Sequence, residues 1–271
     1  MHNLLEPFKM LPLIVTRGLS RKTASYQFDG GVGGKCGKVG VVLLAADQTL
    51  EYELTSVLSS LGVGCFFSRL KMDDDVTPET LRAMKERISG SAKLILPGTK
   101  LDMLAYGCTS ASATMGEDEV FAQLACREPT AVKTTPITSA VEGLKMFNTK
   151  KLGLVTPYNG AVNDILINYL ERQGEWKVRH MMSFNLVSDT DVASVAEESV
   201  KEAAIEVAGN EDVDTVFISC TNLRTMNIIK QVEKETGKPV TSSNMSMAWH
   251  IVRRLGINND LSGKYGSLFN M

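Results

Sequence analysis

The feature that most narrows the fold is a plan stated twice. From residue 38 onward, short apolar or β-branched runs alternate with longer helical patterns, in the order KVGVVLLA (38–45), GVGCFFSRL (62–70), LDMLAY (101–106) and TAVKTTP (130–136). The same order returns as KLGLVTP (151–157), EWKVRHMMSF (175–184), VDTVFIS (213–219) and KPVTSS (238–243). Such alternation predicts βαβ units and mostly parallel sheets. Matching points keep a nearly constant spacing: Asp102 and Asp214 are 112 residues apart, as are Cys108 and Cys220, and Gly40 and Gly153 are 113 apart. The expected fold is α/β, with two similar parallel-sheet, flavodoxin-like domains over 38–148 and 149–271. A pseudo-two-fold relates them and the active site lies in the cleft between. Residues 1–37 form an N-terminal extension, and part of the C-terminus is expected to pack back on the first domain.

Helix signals fit between the strands. A helical stretch runs from Thr49 to Leu61. Thr77-Pro78-Glu79 supplies an N-cap hydroxyl, a proline at the first helical position and an acid in the first turn, which opens a helix through about Ile88. Ser194 with Glu197 reads as a capping box for AEESVKEAAIEVAG.

Composition excludes several function classes. A net charge of −2 without long basic or acidic blocks argues against a nucleic-acid partner and leaves small molecules. No apolar run approaches the length of a membrane span, so no membrane partner and a cytoplasmic location are expected. The stretch 18–25 is basic and hydroxyl-rich, as organelle transit peptides are; a plain extension lying over the domain is the favoured reading. Five cysteines, with no CxxC pair and an odd count, suggest free thiols, and three scattered histidines offer no metal site.

Each half ends its third strand in a cysteine followed by threonine: YGCTSAS (106–112) in the first and FISCTNL (217–223) in the second. Ligands collect at the carboxyl ends of parallel strands, so Cys108 and Cys220 should face one another across a cleft. A strand leading into a helix also puts each thiol near a helix N-terminus, which favours thiolate. Two such sulfurs can act as base and acid on opposite faces of a carbon. Alternatively, one can add to a double bond, permit rotation and leave again. Either scheme builds charge on a carboxylate, for which backbone N–H groups, the hydroxyls of Thr109, Ser110 and Thr221, and the amide of Asn222 are the candidate donors. Cys36, Cys65 and Cys126 read as structural.

These two cysteine motifs, with the loop AADQTLEYE (45–53) and TPYNGAVN (156–163), resemble the aspartate/glutamate racemase superfamily. The maleate cis-trans isomerase and arylmalonate decarboxylase branch is most similar, especially its ectoine-utilisation proteins. The resemblance spans roughly residues 28–270 and implies an enzyme without cofactor or metal. It places the nucleophile role on Cys108, proton chemistry on Cys220 and contact with a substrate carboxylate on Tyr158. The decarboxylases keep one of the two cysteines, whereas this chain keeps both. Amino-acid racemases carry a histidine after the second cysteine, where Asn222 and Leu223 follow Thr221 here. Asp47, close to Thr49, and Asp189 stand where maleate isomerases present asparagines to substrate.

An ionised aspartate repels a second carboxylate and attracts an ammonium or amide N–H. The substrate is therefore expected to join a carboxylate to a nitrogen group, as amino acids, N-acyl amino acids and the cyclic amidine ectoine do. Asp47 could instead cap the helix near Thr49. The leading expectation is a cofactor-independent isomerase or racemase of a small carboxylate, set in ectoine degradation and assembled as a dimer or tetramer. The alternatives are an arylmalonate decarboxylase-like lyase and a ligand-binding relative without turnover.

Overall fold

The structure, a computed structural model, describes residues 24, 25, 27, 31–33 and 35–271. Most of the 1–37 extension, with its basic 18–25 stretch, lies outside the described residues.

Two four-stranded sheets hold the framework, in the orders β2-β1-β3-β4 and β6-β5-β7-β8, and every pairing is parallel. The first contains β1 (Lys38–Leu44), β2 (Gly64–Leu70), β3 (Met103–Gly107) and β4 (Val132–Thr134). Its helices are α1 (Leu50–Leu58), α2 (Pro78–Ala83), α3 (Lys85–Lys93), α4 (Thr109–Met115), α5 (Glu117–Ala125) and α6 (Pro136–Met146). The second contains β5 (Lys151–Tyr158), β6 (Lys177–Leu186), β7 (Thr215–Ile218) and β8 (Val240–Ser242). With it go α7 (Gly160–Gln173), α8 (Asp189–Ser194), α9 (Glu197–Gly209), α10 (Ile229–Thr236), α11 (Ser243–Arg254) and α12 (Ser262–Tyr265).

The duplication in the sequence is a duplication in hydrogen bonds. Asp102 N donates to Lys38 O and Lys38 N to Asp102 Oδ2; Asp214 N donates to Lys151 O and Lys151 N to Asp214 Oδ2. Each aspartate thus ties the third strand of its sheet to the start of the first. Gly40 and Gly153 hold equivalent places for a packing reason. A Cβ on Gly153 would come within 2.5 Å of Val207 Cγ1, and one on Gly40 within 2.8 Å of Leu104 Cδ2. The central strands are apolar throughout because both faces are covered: all of Val39–Leu44 and Thr215–Ile218 are buried.

Helix starts follow local chemistry. Thr77, Thr135, Asn159, Ser188 and Ser242 each accept a hydrogen bond at a helix N-terminus, satisfying amides that would otherwise lack partners. The helical stretch expected over Thr49–Leu61 is present, as α1 followed by a 3-10 turn over Ser59–Leu61. Two expectations need correction. The helix expected to reach Ile88 breaks at Met84 and resumes to Lys93. Ser194 is no capping box: it ends α8 with its hydroxyl on Thr190 O, and α9 begins after Ala196 without a side-chain cap. An i−4 carbonyl within the same turn wins the hydroxyl over the more distant amides.

Helix α11 of the second half packs on α6 and α1 of the first. Between the halves lies the buried carboxylate of Glu53 on α1. Its Oε1 accepts from Thr225 N at 2.8 Å and Met226 N at 2.9 Å, and its Oε2 accepts from Asn244 Nδ2 at 2.7 Å.

Candidate active site

The carboxyl ends of β3, β5 and β7 converge, and their last side chains share one small cavity. Cys108, Thr109, Ser110, Tyr158, Asp189, Cys220 and Thr221 line it, with an apolar wall that includes Met72, Leu81, Met84 and Val192. Segment 72–76 closes the side toward β6: Val76 N donates to Val187 O at 2.8 Å, and Asn159 Nδ2 donates to Val76 O at 3.1 Å. Of the eight expected site residues besides Cys108 and Cys220, Thr109, Ser110, Tyr158, Asp189 and Thr221 line the cavity, and Asp47, Thr49 and Asn222 do not.

Cys108 caps α4 and is 5% exposed; its Sγ lies 3.7 Å from Ser110 Oγ, and the backbone N–H of Ala111 is directed at it. Cys220 differs. No helix follows it directly, since α10 begins only at Ile229, so the expected pair of helix N-termini is realised at Cys108 alone. Its backbone sits at φ 119°, in the region that side-chain-bearing residues rarely adopt.

The expected bias toward thiolate is also corrected. Burial pushes the Cys108 thiol up to about 12 and the Cys220 thiol well above its ordinary value, against the opposing pull of backbone N–H groups. Desolvation of a charged sulfur outweighs a single turn of helix dipole. Both shifts favour the neutral thiol over the thiolate.

Tyr158 ends β5 and is 4% exposed, and its Oη makes no hydrogen bond of ordinary geometry, with the Ser219 and Cys220 side chains beside it. Burial and the adjacent Cys220 and Cys108 sulfurs keep the phenol protonated. A buried O–H donor without a well-placed acceptor costs about 1–3 kcal/mol, so this hydroxyl is available to an acceptor in the cavity.

Asp189 opens α8, and its Oδ2 accepts from Asn222 Nδ2 at 3.1 Å. Burial, and then the charge of Asp47, raises its carboxyl to about 6. The wall also carries Asp73 and Asp75, and among the described residues no Lys, Arg or His lines it.

Asp47, Thr49 and Asn222 stand behind this wall rather than in it. Asp47 Oδ1 accepts from Thr49 N at 2.9 Å and Leu50 N at 2.8 Å, which is the helix-capping arrangement, and the Thr221 side chain adds a weaker hydrogen-bonding contribution to its carboxylate. Thr49 Oγ1 donates to Asn222 O. Asn222 spends its own amide inside the protein: Oδ1 accepts from Gln48 N, and Nδ2 donates to Asp189. Together they fasten the first loop of one half to the cysteine loop of the other.

Ser243, Asn244 and Glu53 escaped the sequence reading. Ser243 Oγ lies 2.8 Å from Thr109 Oγ1 and accepts from Cys220 N at 3.0 Å. Asn244 Nδ2 donates to Thr221 O at 2.8 Å as well as to Glu53. The only available signal was three polar residues, Ser242, Ser243 and Asn244, interrupting an otherwise apolar strand-to-helix junction. Among the described residues, no group of three His, Cys, Asp or Glu side chains could hold a metal ion.

Comparison with known proteins places this geometry among relatives. The family described as arylmalonate decarboxylase matches residues 73–269. A maleate isomerase of Nocardia farcinica is 28% identical over 232 residues, covering 81% of this chain and 90% of the relative. An arylmalonate decarboxylase of Bordetella bronchiseptica is 28% identical over 243 residues, covering 84% and 92%. Among solved structures, a mutant of the Nocardia farcinica maleate cis-trans isomerase with a covalently bound succinylcysteine intermediate superposes with a TM-score of 0.77 at 25% identity, covering 86% of this chain and 98% of that one.

Proposed function

Because this chain belongs to the arylmalonate decarboxylase family, in the maleate isomerase and arylmalonate decarboxylase branch of the aspartate/glutamate racemase superfamily, we propose that it is a cofactor-independent isomerase or racemase holding a small carboxylate between Cys108 and Cys220. The observation that carries the reading is the meeting of both thiols and the Tyr158 hydroxyl in one buried cavity.

Neutral thiols define how a double bond would be isomerised. The Cys108 sulfur bonds to one alkene carbon while Cys220 delivers its proton to the other and receives the Cys108 proton. Charge stays balanced, and no free thiolate is needed in a dry cavity. Rotation about the new single bond, followed by the reverse transfer, releases the other isomer. For a stereocentre, one sulfur takes the carbon-bound proton and the other returns one from the opposite face. Tyr158 Oη, Ser110 and Thr221 are the donors for the substrate carboxylate, whose developing charge they stabilise.

The acid-bearing wall supports a finer reading. Among the described residues three aspartates and no cationic side chain line the space, so a dianion is disfavoured and a basic nitrogen beside the carboxylate is favoured. Amino acids, their N-acyl derivatives and cyclic amidine carboxylates such as ectoine belong to that class.

The test is proton NMR in deuterated buffer with maleate, with N-acetylated diamino acids and with ectoine. Isomerisation, or deuterium uptake without loss of carbon dioxide, that disappears in Cys108→Ser and Cys220→Ser supports the reading. Release of carbon dioxide from a substituted malonate makes the protein a lyase. Binding without any conversion, unaffected by either substitution, makes it a binding protein.

A further inference from the structure

Cys220 is held in a costly backbone conformation, and one side chain outside the cavity explains how. At φ 119° a β-carbon crowds the neighbouring carbonyl, and such residues persist only when their surroundings over-determine them. The amide N–H of Cys220 donates to Ser243 Oγ at 3.0 Å, and the same oxygen lies 2.8 Å from Thr109 Oγ1. Ser243 is 0% exposed and is the first residue of α11. With its lone pair engaged by Cys220 N–H, the Ser243 hydroxyl proton is free to point to Thr109, the residue that follows Cys108. One hydroxyl therefore grips the peptide of one cysteine and the immediate neighbour of the other.

We infer that Ser243 is a positioning residue that sets the relative placement of the Cys220 and Cys108 sulfurs. The inference rests on reading these two as the working thiols. The flanking residues do a different job. Ser242 Oγ caps α11 through Met245 N and meets Thr225 Oγ1, while Asn244 ties Thr221 O to Glu53. Those contacts remain when the Ser243 hydroxyl is removed, so the two halves stay joined. What is lost is the restraint on the strained peptide, and with it the register of the sulfurs. Effects of this kind fall on the chemical step rather than on ground-state binding.

Two readouts on the full-length protein test the assignment. The first needs no turnover: alkylation of each cysteine by iodoacetamide, followed by peptide mass spectrometry, with the exposed Cys126 as internal reference. In Ser243→Ala, the Cys220 rate relative to Cys126 is expected to rise about tenfold, as release of a restrained backbone conformation allows, while the melting temperature falls by only a few degrees, the scale of one buried N–H losing its acceptor. Ser243→Thr, which keeps the oxygen, returns the rate toward wild type. The second readout is kinetic, with maleate as probe substrate: kcat falls about tenfold or more in Ser243→Ala with KM changed less than about twofold, and Ser243→Thr recovers most of kcat. Wild-type alkylation rates at both Cys108 and Cys220 in Ser243→Ala would overturn the assignment, as would equal losses in kcat/KM traced to KM alone. Should wild-type protein leave maleate and the nitrogen-bearing probes unchanged while the alkylation shift still occurs, the enzyme reading fails and the positioning of Cys220 by Ser243 stands.

Discussion

Asp189→Asn separates the charge of the cavity wall from its shape. The carboxyl is 6% exposed, and its Oδ2 accepts from Asn222 Nδ2 at 3.1 Å. Burial first, then the charge of Asp47, raises it from an ordinary 3.8 to about 6. The folded protein therefore binds this proton more tightly than the unfolded chain does. The resulting contribution is fully present below the ordinary value and is lost as pH rises through about 6. That interval corresponds to about 3 kcal/mol. Asparagine cannot titrate, yet it keeps an amide oxygen for Asn222. Urea unfolding of both proteins between about pH 4 and about pH 7 should then show the variant gaining about 3 kcal/mol on the wild type as pH rises. The same exchange removes one ionised group facing the substrate. Maleate should gain on a zwitterionic competitor by about tenfold, from a repulsion of about a kcal/mol or more at intermediate dielectric. A stability difference that does not vary with pH would refute the claim that Asp189 is held by burial in its protonated-favouring state. An unchanged ligand preference would refute its place facing the substrate.

Other outcomes follow from the same geometry. Glu53→Ala leaves Thr225 N, Met226 N and Asn244 Nδ2 without their acceptor, and should cost about 3–5 kcal/mol in denaturant unfolding, as loss of a buried hydrogen-bonded charge does. A cost below about 1 kcal/mol would contradict its role in joining the halves. Tyr158→Phe removes a hydroxyl that makes no hydrogen bond of ordinary geometry inside the protein, so stability should hold or rise while conversion of substrate falls by about 100-fold, the scale of losing one oxyanion donor. Marked destabilisation with unchanged turnover would make it an ordinary core tyrosine.

The duplicated architecture was legible because it rests on strong local signals: continuous apolar runs at strand length, and matched features such as Asp102 with Asp214 at a fixed spacing. The convergence of Cys108 with Cys220 follows from the rule that parallel strands present their carboxyl ends together, whereas Tyr158 was singled out only by the family resemblance, and the strand order of the sheets was not read from the sequence. Ionisation was not legible. The thiols are neutral because burial, a tertiary property, exceeds the dipole of a short helix. Asp47 and Asp189 looked equivalent as sequence, yet one caps α1 and the other faces the cavity. Ser243 and Glu53 were hidden for a related reason: each acts on residues more than a hundred positions away, and nothing in a lone serine or a helix glutamate announces such a partner. The false capping box at Ser194 shows the reverse, a correct motif whose hydroxyl had a closer carbonyl.

Intact-mass analysis of Cys220→Ser protein incubated with maleate, and in parallel with the nitrogen-bearing probes, reads the central claim directly. With a serine hydroxyl relaying protons in place of the Cys220 thiol, both formation and release of the adduct slow, so over a long incubation one substrate molecule should be caught attached through a thioether, and peptide mapping should find it on Cys108. Unmodified protein at ligand concentrations that demonstrably shift its melting temperature would contradict a covalent step at Cys108, and an adduct mapped to Cys36, Cys65 or Cys126 would move the chemistry out of the cavity altogether.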